Sequence, residues 1–287
     1  MYKTSTIAIL LVALLLAACT PDALPVQEPA GEDIPAATAE PAEESVAAPA
    51  PTPEPISVFF VGVNPEFRPF VFVDEAGNMV GFDIDLLNAL SSAAGFEFGY
   101  VNTSFGGLLQ GISSDSFDAA ISAITVTEER ERMVDFTEPY FGTGQAVVSY
   151  LSAGQGIAVR TDNTTILGPD DLTEAVRVGV KANTTGERFV VDQTSGTFAR
   201  YEEAYDALDA LAAGEVDAVV LDTPVITHYI FQDPNAGIKL TGGPVTEETY
   251  AIAVSKSEPE LLAMLDEALA QIVSDGTYDQ IFTKWFG

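Results

Sequence analysis

The chain has 287 residues, enough for one or two globular units, and 47% of them are hydrophobic. Acids outnumber bases 43 to 12, a formal net charge of −31. That excludes a nucleic-acid binder, which needs clustered Lys and Arg, and electrostatic docking on anionic lipid. One cysteine and one histidine exclude a disulfide framework, a cysteine-cluster zinc site and His-paired metal motifs, so no metal is expected.

The chain opens with Lys3 and an unbroken apolar run from Ile7 to Leu16. The run is too short to span a bilayer comfortably and reads as a secretory signal over residues 1–18. Leu16-Ala17-Ala18-Cys19 resembles the lipobox of bacterial lipoproteins. The resemblance implies cleavage before Cys19, acyl chains (palmitate among them) on that residue, and a place on the outer face of the cell membrane. Residues 19–56 form an acidic Pro/Ala/Glu-rich linker, with nine of the 17 prolines, eight acids and no base. Such a stretch buries too little apolar surface to offset its ordering entropy.

From Ser57 the pattern alternates between strand and helix. Ser57–Val63 is a β-branched and aromatic run, a buried strand. Phe82, Leu86, Leu87 and Leu90 have helical spacing, in a helix from Gly81 to Ala94 that stops at Gly95. A strand over Phe96–Val101, a helix over Phe105–Ile112 and a strand over Ala119–Ile124 follow. A second set comprises a strand at Val176–Val180, a helix at Thr184–Val191, a strand at Thr197–Tyr201, a helix at Glu202–Ala213 and a strand at Val216–Leu221. The chain ends with a strand at Thr249–Val254 and helices over 258–274 and 277–286. Alternation of this kind predicts parallel sheets covered on both faces, and about 230 residues suggests two α/β lobes. The Gly-rich connections at 140–156 and 241–247 are candidate crossings between them.

Catalytic motifs do not emerge. Gly142-Thr143-Gly144 lacks the third glycine of a dinucleotide loop, and there is no phosphate loop or nucleophile elbow, so no cofactor is expected. His228, in a helix after Asp222, reads as a structural or surface residue. What remains is a set of strand-to-helix junctions. Thr127 can cap a helix whose first turn carries Arg130. Thr184-Thr185-Gly186-Glu187 has capping-box spacing, so helix-start amides face outward and attract an anion. An arginine fork with such amides suits a carboxylate, and Asp222 at a strand's carboxyl end offers the opposite charge. Together they suit a zwitterion. On pattern alone Arg130 could equally be a surface ion-pair residue, Thr184 a plain cap and Asp222 a plain N-cap before Pro224.

From about Ser57 to Gly287 the chain resembles the extracytoplasmic solute-binding proteins of polar amino-acid ABC importers, bacterial solute-binding family 3. The matching stretches are Phe67-Arg-Pro-Phe70, Gly81-Phe-Asp-Ile-Asp85, Phe117-Asp-Ala-Ala-Ile-Ser-Ala-Ile-Thr-Val-Thr-Glu-Glu-Arg130, Asp135-Phe-Thr-Glu-Pro-Tyr140, Val178-Gly-Val-Lys-Ala-Asn-Thr-Thr-Gly186, Gly214-Glu-Val-Asp-Ala-Val-Val-Leu-Asp222 and the C-terminal Asp275–Gly287. The resemblance implies an α/β, two-lobed periplasmic-binding-protein-like fold of type II, with two crossover strands as hinge. Lobe 1 would comprise residues 57–144 and 244–287, and lobe 2 residues 145–243. It implies a monomeric binding protein, not an enzyme, that hands a free amino acid to a membrane permease.

Carried over by position, Arg130 takes the ligand carboxylate with Thr125, Thr184 and Thr185. Asp222 and the Ala123 carbonyl take the ammonium, and Phe67 and Phe105 stack on the side chain. Ala123 stands where Gly or Ser is common, and Asn183 where a glycine is usual. The first crossover, Phe141 to Ile157, is about ten residues longer than the pattern. Asn64 replaces the aspartate frequent in binders of basic ligands, and Lys181 disfavours a cationic ligand, so a neutral amide or acidic amino acid is expected. The same scaffold also hosts amino-acid-like dehydratases and ligand sensors acting through a partner, which are the alternative readings.

Overall fold

The computed structural model describes residues 57–142 and 153–287. The proposed signal, Cys19, the linker and residues 143–152 of the first crossover lie outside the described residues. Two five-stranded sheets organise the chain. The first has the order 97–102, 58–63, 119–120, 253–254, 135–136. The second has the order 197–201, 177–181, 218–222, 155–160, 238–241. The chain therefore builds most of one sheet, then the whole of the other, and returns to the first. This is the two-lobed α/β architecture.

The expectation of parallel sheets needs correction, because both sheets are mixed. In each, four strands run in one direction and a single strand opposes them. In the first sheet Ala253–Val254, reached after the return from the second lobe, inserts antiparallel between Ala119–Ala120 and Asp135–Phe136. In the second, Gln155–Arg160 enters antiparallel to Ala218–Asp222. Among the described residues no helix leads directly into either strand, so parallel pairing is not imposed.

The helices sit where the apolar spacing places them. Phe82–Ala94 buries Phe82, Leu86, Leu87 and Leu90, with Gly81 at its N-cap and Gly95 closing it in the left-handed region at φ 74°. Phe105–Ser113, Thr185–Gln193, Ala204–Ala212, Thr223–Gln232, Pro259–Ser274 and Thr277–Phe286 follow. Two strand expectations are corrected. Ala119–Ile124 is paired only at Ala119–Ala120, because the chain leaves the sheet towards Ala123, where φ is +47°. The run Thr249–Val254 is split. Thr249–Tyr250 pairs with Phe141–Gly142 in a two-stranded ribbon, whereas Ala253–Val254 joins the first sheet. Residues 66–80 add a small three-stranded antiparallel sheet that the sequence pattern does not reveal.

The ribbon of Phe141–Gly142 and Thr249–Tyr250 brings the two crossings side by side. Phe141 and Tyr250 stack there with ring centroids 5.5 Å apart, and Phe70 meets both edge-on. Both crossings are thereby tied to the aromatic core under the first sheet. Among the described residues no helix is long and apolar enough to cross a membrane.

Candidate functional site

The parallel strands of both sheets point their carboxyl ends into one gap, where ligands of open α/β sheets sit. Asn64 follows strand 58–63, and Ala123 and Thr125 follow strand 119–120. On the facing lobe Lys181 and Asp222 end their strands, and Thr184 and Thr185 open the next helix. The lobes touch across the gap. Arg188 of the second pairs with Glu129 of the first at 3.2 Å, and the side chain of Asn183 lies against Gly106. The mouth on the Arg130 side is a groove of about 930 Å³ lined by Arg130, Arg132, Asn183, Thr184, Thr185 and Arg188.

Arg130 stands in a helix of only four residues, Glu128–Glu131, whose N-cap Thr127 accepts the Arg130 N–H. The cap expected at Thr127 is present, the helix is a single turn, and that turn aims the guanidinium. Nη1 donates to the Thr125 carbonyl at 2.7 Å, and the guanidinium carbon lies 5.5 Å from the centroid of the Phe105 ring. Burial pushes its pKa down, while the nearby Glu248, Asp222 and Glu129 push it back up. Arg130 is thus not a simple surface ion-pair residue.

Asp222 is 4% exposed and makes no capping bond to its helix. Its Oδ1 accepts the Tyr250 hydroxyl at 2.5 Å. Burial first, and Glu248 second, raise its pKa to about 7, against the opposing Tyr250 hydrogen bond. The expectation of a plain N-cap before Pro224 does not describe this side chain.

Thr184 caps its helix, accepting the Glu187 N–H at 3.3 Å and donating to the Lys181 carbonyl at 2.7 Å. Asn183, in place of the usual glycine, adopts the left-handed conformation at φ 62°, which Asn tolerates better than most residues. Its N–H donates to Glu187 at 2.7 Å, so the loop keeps a glycine-like path. Ala123 is likewise left-handed, and its N–H donates to the buried Asp83 carboxylate at 2.7 Å.

Asn64 is buried and donates to the Thr103 carbonyl and to Glu66. Lys181 is 1% exposed, so it does not point to solvent. Its Nζ donates to the Glu202 carbonyl and lies 5.9 Å from the Phe67 ring centroid. Burial lowers its pKa, opposed by Glu66, Glu202, Glu203 and Asp222. Phe67 is buried against Phe70, and Phe105 is half-buried. His228 shares a hydrogen bond with the Tyr205 hydroxyl at 2.6 Å, and burial lowers its pKa. Among the described residues no group of three or more His, Cys, Asp or Glu is placed to hold a metal.

Two site residues are not visible to sequence reasoning. Glu248, on the second crossover, accepts hydrogen bonds from Thr125 at 2.8 Å and Thr185 at 3.0 Å. Gln155, where the first crossover enters its sheet, donates to Thr185 at 3.2 Å. The doublet Gly154-Gln155, an echo of Gly144-Gln145, is the one signal that could have pointed to it.

Two lobes, two crossings and a shared polar gap define a type II periplasmic amino-acid-binding fold. Residues 59–287 match the family described as bacterial extracellular solute-binding proteins, family 3, and the chain belongs to it. It is 33% identical over 242 residues to a probable histidine-binding protein of Neisseria gonorrhoeae, covering 83% of this chain and 86% of that one. It is 30% identical to ABC transporter arginine-binding protein 1 of Escherichia coli K12, covering 78% and 89% respectively. An ancestral arginine-binding protein bound to arginine superposes with a TM-score of 0.72 at 37% identity, covering 80% of this chain and 99% of that one. An ancestral arginine-binding protein bound to glutamine superposes with a TM-score of 0.71, covering 80% and 98%. These relatives carry the names of amino-acid-binding proteins, not of enzymes.

Proposed function

We propose that the protein binds one polar amino acid between its lobes and delivers it to the permease of an ABC importer. One observation carries the reading: Arg130 on the first lobe and Asp222 on the second face one gap, within electrostatic reach of each other. A zwitterion satisfies both. Its carboxylate goes to the Arg130 fork and the amides at the start of helix Thr185–Gln193, and its ammonium to Asp222 and the Ala123 carbonyl. Because each lobe supplies part of the grip, the ligand prefers the closed arrangement. Phe67 and Phe105 flank the side chain.

For the ligand we favour a neutral amide such as glutamine, or an acidic amino acid. The buried Lys181 beside Phe67, with neutral Asn64, disfavours a cation there. A specific observation supports a second reading. Glu66 lies beside Asn64 and Lys181, and the relatives named above carry the names of histidine- or arginine-binding proteins, one of them with glutamine bound. Calorimetry of the full chain against the common amino acids decides. Tight binding of arginine or histidine alone selects the second reading, and no binding of any amino acid refutes both.

The protein is further read as a monomer, anchored through acylated Cys19 on the extracytoplasmic face. Growth with labelled palmitate should mark the wild type and not Cys19→Ser; no label on the wild type refutes the anchor.

A further inference from the structure

We infer that Glu248 is a positioning residue that couples the crossover to the cleft, gathering one hydroxyl from each lobe onto a single carboxylate oxygen. Its Oε2 accepts Thr125 of the first lobe at 2.8 Å and Thr185 of the second at 3.0 Å. Gln155 donates to the same oxygen at 3.4 Å and to the Thr185 hydroxyl at 3.2 Å. Oε1 accepts Thr246, two residues earlier on the same crossing, at 3.0 Å.

The backbone around Glu248 is fixed on both sides. Val245 N–H donates to the Gln155 carbonyl, and Gln155 N–H to the Thr246 hydroxyl, each at 2.8 Å. Val126 N–H donates to the Thr249 carbonyl at 3.0 Å. The crossing is therefore stitched to the second lobe just before Glu248 and to the first just after it, and the carboxylate is a side-chain link between the two.

A hydroxyl has one proton. With both threonine protons committed to Glu248, the hydroxyls are not free to donate to a ligand carboxylate. That carboxylate is left to the Arg130 guanidinium and to backbone N–H groups. Glu248 is also the neighbouring charge that does most to sustain the ionised form of buried Arg130. A charge-assisted bridge of this kind favours the arrangement in which both hydroxyls reach one oxygen, which is the closed one.

The test has two arms, and only the second rests on the amino-acid reading. In the first, spin labels on Gln110→Cys and Gln193→Cys, in the full chain carrying Cys19→Ser, report lobe separation by pulsed resonance without added amino acid. Glu248→Ala should shift the distances longer, and the isosteric Glu248→Gln should shift them less in the same direction. In the second, calorimetry with glutamine, or with whichever amino acid the panel selects, should show Glu248→Ala weakening affinity about tenfold. Thr185→Val added to Glu248→Ala should cost little more, because the hydroxyl acts through the carboxylate. Unchanged distances in both variants, tighter binding, or additive losses overturn the inference. Circular dichroism checks that each variant is folded. If the wild type binds no amino acid, the proposed function fails while the distance arm still decides the role of Glu248.

Discussion

The Tyr250 hydroxyl donates to Asp222 Oδ1 at 2.5 Å, so a residue of the second crossover holds the ammonium acceptor proposed for the other lobe. Burial raises the Asp222 pKa to about 7 despite this bond. An arriving ammonium favours the ionised carboxylate, so binding below pH 7 must expel a proton. Affinity should therefore rise up to about tenfold per unit as pH climbs towards 7, then level off. Calorimetry between pH 5.5 and 8, in buffers of different ionisation enthalpy, reads both affinity and proton release. A flat profile without proton release rejects the role of Asp222. Tyr250→Phe removes a donor to the ionised form and should weaken neutral-pH binding by about 1.5–3 kcal/mol.

Arg130→Ala and Asp222→Ala each leave one end of the ligand as an unpaired charge in a closed gap. Each should cost about 2–5 kcal/mol, roughly 30- to several-thousand-fold in affinity. Arg130 also donates to the Thr125 carbonyl, so its loss should loosen that loop as well. Unchanged affinity in either variant defeats the assignment of that residue.

Much of this site is legible in the sequence because its chemistry sits at element ends that local pattern marks. Thr184-Thr185-Gly186-Glu187 announces a helix start, and Thr184 does accept the Glu187 N–H there. The helix Phe82–Ala94 is readable because its apolar spacing is the face it buries. Thr249–Val254 reads as one strand because strand propensity does not say where a ladder changes partner. That depends on Phe141 and Ala119, more than a hundred residues away. Glu248 stays hidden for a related reason. A lone glutamate in a connection of a chain with 43 acids carries no signal until the fold places Thr125 and Thr185 beside it.

Gly186→Ala tests the support behind Thr185. A Cβ there would lie 2.5 Å from Gln155 Oε1 and 3.1 Å from the Val220 carbonyl. The Gln155 amide can swing away, whereas the strand carbonyl gives little. Alanine improves helix propensity by up to about 1 kcal/mol, which offsets part of the crowding. Affinity should therefore fall several-fold while the melting temperature moves little. Full affinity in this variant would show that the Gln155 contact with Thr185 does not matter for binding.

Asp83 sets the shape of the first-lobe loop. It is fully buried, and its Oδ2 accepts the N–H of Ala123, held at φ +47°. A left-handed alanine is strained by about 1–2 kcal/mol, so the loop keeps this path only while something pins it. Asp83→Ala would strand the Ala123 N–H at a cost of about 1–3 kcal/mol and let the Ala123 carbonyl drift from the ammonium position. Desolvation lifts the Asp83 pKa from 3.8 to about 7. Because the folded-state pKa lies above the unfolded value, the stability it contributes is present below pH 3.8 and lost as pH rises through 7. Asp222 shifts the same way, so the clean comparison is between the wild type and Asp83→Asn, which retains an acceptor but cannot ionise. Between pH 3.8 and 7 the stability difference should move in favour of the variant by up to about 1.4 kcal/mol per unit, and it should level off above pH 7. Denaturant titrations at pH 5, 6, 7 and 8 measure the slope and its levelling. Parallel curves for the two proteins would mean that Asp83 does not titrate in this range and that the loop is fixed by other contacts.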